Sequence, residues 1–182
     1  AVLLQDRVGI VSGIGPGMGR EIALAFAREG ADVVLAARTA TALEEVAVDI
    51  RKLGRRALCV PTDIAKAGDC QRLADAATKE FGRIDALVNN AFVTTFQPVE
   101  SSTMDDWRQI FDVNLFGSIQ LSQAVIPTMK AQHRGSIVMI NSMSSRIVEP
   151  NMGAYAASKG ALLTAAQTMA RELGQYGIRV NS

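Results

Sequence analysis

The segment Arg7-Val-Gly-Ile-Val-Ser12-Gly-Ile-Gly-Pro-Gly-Met-Gly19 is a short apolar run that breaks into a glycine loop. A helical period follows over residues 17–29, and Gly30 stands where a helix C′ glycine stands. The same alternation continues outward. Apolar strand runs fall at 32–37, 56–60, 84–89, 136–141 and 178–181. Helical periods fill the intervals at 66–81, 104–130 and 154–176, and Thr41-x-x-Glu44 reads as a capping box opening a helix to about Leu53. The strands are continuously apolar rather than alternating, which suits a parallel sheet covered on both faces. Strand-helix repetition with right-handed crossovers then predicts an α/β fold with a doubly wound, mostly parallel sheet. No linker, repeat or low-complexity tract interrupts residues 1–182, so one domain is expected.

Composition narrows the function classes. Of 182 residues, 48% are hydrophobic and 20% charged, which excludes intrinsic disorder. Nineteen basic against eighteen acidic residues leave a net charge of +1, no field for gripping nucleic acid. Apolar runs such as 33–37 fall far short of the ~20 residues of a membrane helix. Asp6 and Arg7 interrupt the N-terminus too early for a secretory signal. Two cysteines, Cys59 and Cys70, make no disulfide framework and read as reduced thiols of a cytoplasmic protein.

The glycine loop has a physical purpose. A phosphate can sit on a helix N-terminus only where the backbone turns sharply and comes close, and glycine permits both. The spacing is G-x-x-x-G-x-G, as Gly13, Gly17 and Gly19, rather than G-x-G-x-x-G, and no Lys-Ser/Thr follows to make a P-loop. Nucleotide binding is the favoured reading, a ligand-free turn or a methyltransferase-type loop the alternative. The second strand ends Ala36-Ala37-Arg38-Thr39 without the carboxylate that would hold a ribose 2′-hydroxyl. Arg38 instead suits a 2′-phosphate, unless it is simply a solvated strand-end arginine.

Tyr155 and Lys159 stand at i and i+4 on one helix face. A cation beside a phenol favours the phenolate, so the pair suits proton exchange with a carbonyl or alcohol oxygen. Ser142 closes the fifth strand run, and ligands in such sheets sit at strand carboxyl ends.

Together these motifs resemble the short-chain dehydrogenase/reductase family, in its compact single-domain branch, over nearly the whole chain. The matching segments are Ser12-Gly13-x-x-x-Gly17-x-Gly19, Asp63-Ile64, Asn89-Asn90-Ala91, Asn114, Ser142 with Tyr155-x-x-x-Lys159, and Arg179-Val-Asn-Ser182. The resemblance implies a Rossmann-type NAD(P)-binding domain. Tyr155 would be the general acid/base and Ser142 would orient the reacting oxygen. Lys159 would hold the nicotinamide ribose, and Asn114 would bind a water relaying protons from Lys159. Gly13, Gly17, Met18 and Gly19 would cradle the pyrophosphate, Asp63 would contact adenine, and Ile64 and Asn90 would line the cleft. Three departures stand out: Ser12 replaces the usual Thr, Phe92 follows Asn-Asn-Ala where glycine is usual, and Gly15-Pro16 inside the loop fixes one φ and removes an N–H donor. Members of the family continue past the Arg-Val-Asn-Ser strand, so a substrate lid and last strand are expected to be missing from a chain that opens on Ala1 and stops at Ser182.

Other signals are weaker. His133 reads as a surface loop residue, since no triad or metal cluster can be built on it. Asp105 and Asp106 suit helix N-terminal charge. Met143 and Met152 suit a pliable pocket, Met139 the sheet core, and Arg146 an exposed rim. Small residues on several faces of the helix at 154–172 suit a homo-oligomer (dimer or tetramer), or helix propensity alone. The expectation is an oxidoreductase that prefers NADP(H) and interconverts a ketone and a secondary alcohol, the 3-oxoacyl-carrier reductase type being one example. The alternatives are an NAD-dependent dehydrogenase of steroid or sugar alcohols and a non-catalytic nucleotide-binding regulator.

Overall fold

A computed structural model describes residues 2–147 and 149–182. Six parallel strands form one sheet in the order β3-β2-β1-β4-β5-β6. They are β1 Val8–Ser12, β2 Asp32–Ala37, β3 Ala57–Pro61, β4 Ala86–Asn89, β5 Gly135–Met139 and β6 Ile178–Asn181. The helices are α1 Met18–Arg28, α2 Ala40–Lys52, α3 Ala67–Phe81, α4 Met104–Phe111, α5 Ser118–Ala131 and α6 Gly153–Leu173. Strand order reverses between β1 and β4, and the loops leaving these two strands part around a crevice at their carboxyl ends.

Central strands are buried throughout: all five residues of β1 and four of six in β2. Two apolar clusters cover the two faces. Leu24, Leu43, Val46 and Ile50 of α1 and α2 pack on Val11, Val33 and Leu35. Leu73, Val125, Met129 and Leu162 of α3, α5 and α6 pack on Ile10, Val34, Leu87 and Ile137. Met139 lies in the second cluster, as expected of a core residue.

Two local expectations change. Thr41 does not cap α2: Thr39 is the N-cap, without a side-chain bond, and Glu44 pairs with Arg51 seven residues further on. The capping box lies instead at α4, where the Thr103 hydroxyl accepts from the Asp106 amide and the Asp106 carboxylate accepts from the Thr103 amide. That gives Asp106 its role, while Asp105 beside it pairs with Arg108 at 2.8 Å. The helical period at 104–130 is not one α-helix: residues Asp112–Gly117 form a π turn between α4 and α5. The shared 3.6-residue periodicity hides such a turn, because one extra residue shifts the faces only locally.

Cys59 on β3 and Cys70 on α3 form no disulfide, and desolvation pushes both thiols up to about 11. Among the described residues no helix is long and apolar enough to cross a membrane, and no metal-ligating cluster is present.

The glycine loop depends on close backbone approach. A Cβ on Gly19 would overlap the Gly13 carbonyl oxygen and come within 2.9 Å of the Asn90 Nδ2. Neither can retreat, since Asn90 Nδ2 itself donates to that carbonyl at 2.9 Å. Gly19→Ala is therefore expected to destabilise the fold by about 2 kcal/mol. Urea unfolding checks this, and a change under ~0.5 kcal/mol would contradict the packing just described.

Candidate active site

The crevice at the switch point is a cleft of about 430 Å³. Its walls come from the glycine loop (Gly13 to Pro16), the end of β2 (Arg38), the loop after β3 (Asp63, Ile64) and the loop after β4 (Asn90 to Val93). Gly13 takes φ +79°, and a Cβ there would strike the Ala91 backbone at 2.6 Å, so this glycine holds the two loops together. Gly15 and Gly17 differ: nothing lies within 4 Å of where their Cβ would stand. That open space over the backbone ahead of α1 lets a phosphate approach its amides. Among the glycine-loop residues named from sequence, Gly13 lines the cleft; Gly17, Met18 and Gly19 do not, while Gly15 and Pro16 do. Met18 is 52% exposed and Gly19 is buried against Gly13.

Ser12 is buried at the end of β1, where its hydroxyl donates to the Val88 carbonyl and accepts from the Asn90 amide at 3.3 Å each. The hydroxyl thus ties β1 to β4. Asn90 leaves its Oδ1 buried without a partner, an acceptor available to a ligand in the cleft it lines. Asp63 accepts from the Ala65 amide and stands 3.7 Å from the Lys66 ammonium. Arg38 is exposed on the cleft wall and forms no ion pair among the described residues.

Tyr155 and Lys159 lie on the first turns of α6. Lys159 is only 3% exposed, its ammonium donating to the Ile140 carbonyl at 2.7 Å and standing 5.8 Å from the Tyr155 ring centroid. Burial without a carboxylate partner lowers its pKa from 10.5 to about 8. Ser142 follows two residues after Ile140 and caps a short 3₁₀ turn, Met143–Ser145, accepting from the Ser144 amide at 3.2 Å. It opens on a second cavity of about 660 Å³, shared with Met143, Arg146, Ile147 and Leu163. The cleft and the Ser142 cavity are thus distinct, with the Tyr155–Lys159 pair carried by the helix that packs on the Ser142 turn.

Asn114 sits fully buried in the π turn. Its side chain leaves the helix: Oδ1 accepts from the Val93 amide at 2.8 Å, and Nδ2 donates to the Val93 carbonyl at 3.0 Å and the Ser158 hydroxyl at 3.1 Å. Ser158 in turn donates to the Tyr155 carbonyl at 2.7 Å. The π turn thereby staples the loop after β4 to the helix carrying Tyr155 and Lys159. Sequence reasoning did not single out Ser158 or Val93. The signal for Ser158 was its place inside Tyr155-x-x-Ser-Lys159; Val93 acts through its backbone and leaves none. His133 and Arg146 are exposed, as expected.

The profile of the family described as short chain dehydrogenase matches residues 7–182. The 7α-hydroxysteroid dehydrogenase of Escherichia coli K12 is 38% identical over 178 residues, covering 98% of this chain and 69% of that protein. NAD⁺-bound xylitol dehydrogenase superposes with a TM-score of 0.95 at 34% identity, covering 98% of this chain and 69% of that one. A 7α-hydroxysteroid dehydrogenase complexed with NADH and 7-oxo glycochenodeoxycholic acid does so with 0.95 at 37%, covering 99% and 70%.

Proposed function

Because the chain belongs to the short-chain dehydrogenase/reductase family, a family of oxidoreductases, we propose that it interconverts a ketone and a secondary alcohol with NADP(H) as the preferred cofactor. The observation that carries this reading is the buried ammonium of Lys159, one helical turn from Tyr155 and held by the last carbonyl before the Asn141-Ser142 turn. A regulator that merely binds nucleotides has no use for a desolvated lysine beside a phenol, so the non-catalytic alternative is not favoured.

The cofactor, when bound, supplies or accepts the hydride. The rest is the work of this chain. Gly15 and Gly17 leave room over the backbone for the pyrophosphate, Gly13 turns the loop beneath it, and Met18 and Gly19 open α1 behind it. Asp63, Ile64 and Asn90 line the adenine and ribose side of the cleft. Tyr155 gives its proton to the carbonyl oxygen during reduction and takes one from the hydroxyl during oxidation. Lys159 opposes the negative charge left on the phenol and binds ribose hydroxyls, and Ser142 donates to the reacting oxygen. Asn114 clamps the site and would bind the water of the proton relay. The small-molecule substrate enters without nucleic acid or membrane. The two unpaired, desolvated thiols favour a cytoplasmic setting, and exposed small residues on α6 such as Ala157 favour a homo-oligomer.

NADP is preferred over NAD because Arg38, exposed on the cleft wall, faces no carboxylate at the end of β2. The NAD⁺ and NADH in the two matched structures favour the NAD reading. Arg38→Asp separates the two. Removing one charge-assisted contact and adding a repelling carboxylate is expected to swing the NADPH-to-NADH affinity ratio toward NADH by about a hundredfold. Fluorescence titration of each dinucleotide reads it, and an unchanged ratio would leave the NAD reading standing. An absorbance screen of ketones with NADPH and alcohols with NADP⁺ tests the function itself; no turnover with either cofactor would refute it.

A further inference from the structure

Phe92 is an aromatic residue that the core does not use. It belongs to neither apolar cluster, and its side chain is 53% exposed. Exposure of a ring at a surface loop would need no comment, but this loop is held on both sides. Asn90 is bound to Gly13 on one flank, and Val93 is bound through both its amide and its carbonyl to Asn114 on the other. Only Ala91 and Phe92 lie between the clamps, and Ala91 is pressed against Gly13. The ring is therefore presented from a fixed backbone. It stands edge-on to Tyr155, with 6.2 Å between centroids and 65° between planes, and the Lys159 ammonium lies 6.0 Å from its centroid. It also lines the cleft.

We propose that Phe92 is a specificity-determining residue: its ring forms an apolar wall beside Tyr155 that selects ketones and alcohols bearing an aromatic group next to the reacting carbon. The inference rests on the reading of Tyr155 as the group that meets the substrate oxygen. A substrate so placed lies within reach of a ring 6.2 Å from that of Tyr155. A flat aromatic group covers the exposed ring and gains offset or edge contacts with it, whereas a short alkyl group covers little. Since the ring is already held in place, stacking on it orders little else.

The test uses matched pairs, acetophenone against 2-butanone and 1-phenylethanol against 2-butanol, with the wild-type chain, Phe92→Leu and Phe92→Ala at saturating cofactor. Wild type is expected to favour the aryl member. In Phe92→Ala the aryl-to-alkyl ratio of kcat/KM falls about tenfold, mostly through KM, while 2-butanone changes less than threefold. Phe92→Leu, which keeps bulk without the ring, gives an intermediate ratio and guards against a folding artefact. Dinucleotide affinity, read by fluorescence, stays within twofold in both variants. Turnover without aryl preference overturns the proposal and leaves the oxidoreductase reading intact. So does an equal loss on both substrates with weakened dinucleotide binding, which would assign the ring to the cofactor. No turnover of any pair with either cofactor sinks the underlying reading as well.

Discussion

Tyr155→Phe is expected to lower kcat/KM for ketone reduction about a thousandfold while leaving dinucleotide affinity within twofold. The substitution removes one oxygen from a half-buried side chain on α6. Packing should survive, because the edge-on contact with Phe92 is made by the ring rather than the hydroxyl. What disappears is the proton donor. A positioned general acid is worth roughly 10²–10⁴ in rate, and the group that transfers the proton to the reacting oxygen belongs in the upper half of that range. The loss should appear in kcat and kcat/KM alike, as for an interaction made in the transition state. Steady-state kinetics with NADPH and any accepted ketone decide the matter. Activity equal to the wild type would remove Tyr155 from the acid/base role and move attention to Ser142.

Lys159→Met should separate stability from activity. In the folded chain burial lowers the lysine from 10.5 to about 8. Below pH 8 the ammonium is charged in both folded and unfolded states, so the folded state carries the whole desolvation cost. Between about pH 8 and 10.5 the folded state releases the proton while the unfolded state keeps it, and the cost fades as pH rises. At ~1.36 kcal/mol per pH unit the lowering corresponds to about 3 kcal/mol. Methionine has similar length and no charge. The variant is therefore expected to be up to about 3 kcal/mol more stable than the parent near pH 6.5, with the gap closing by pH 10.5. Its turnover should fall at least about a hundredfold, since the phenol loses its only nearby cation among the described residues. Denaturant unfolding of both proteins at the two pH values measures the first effect. A stability difference independent of pH would mean that burial of the ammonium is not what Lys159 costs the fold.

Such a trade is common where a reactive group sits in a low-dielectric site. Here its structural origin is visible. Among the described residues the Lys159 ammonium has one hydrogen-bond acceptor, the Ile140 carbonyl, and two aromatic rings about 6 Å away. No carboxylate among the described residues offsets its burial, unlike Asp85, which is buried but held by Arg83, Arg7 and the Val8 amide. Two buried charges in one small fold thus meet different fates. Burial pushes the Asp85 carboxyl up, but those three partners outweigh it and leave the group ionised below its usual range. The lysine, lowered to about 8, keeps its proton near pH 7 and carries an uncompensated charge beside the cleft.

The chain's own order of residues determined the parallel sheet, the glycine turn after β1 and the i, i+4 pairing of Tyr155 with Lys159. Each follows from local periodicity: apolar runs bury strands on both faces, positive φ at Gly13 requires glycine, and residues four apart share a helix face. The capping box was misplaced from Thr103 to Thr41, because Ser/Thr-x-x-acid patterns recur and only the observed helix start selects among them. Tertiary structure alone decided what Asn114 does. Nothing in the pattern at 104–130 foretold a π turn, or a side chain reaching Val93 and Ser158, residues 21 and 44 positions away. It also decided that Lys159 is desolvated and that Phe92 stands open beside Tyr155. Those properties arise from segments brought together by the sheet order, and contacts between distant segments leave no period in the sequence to read.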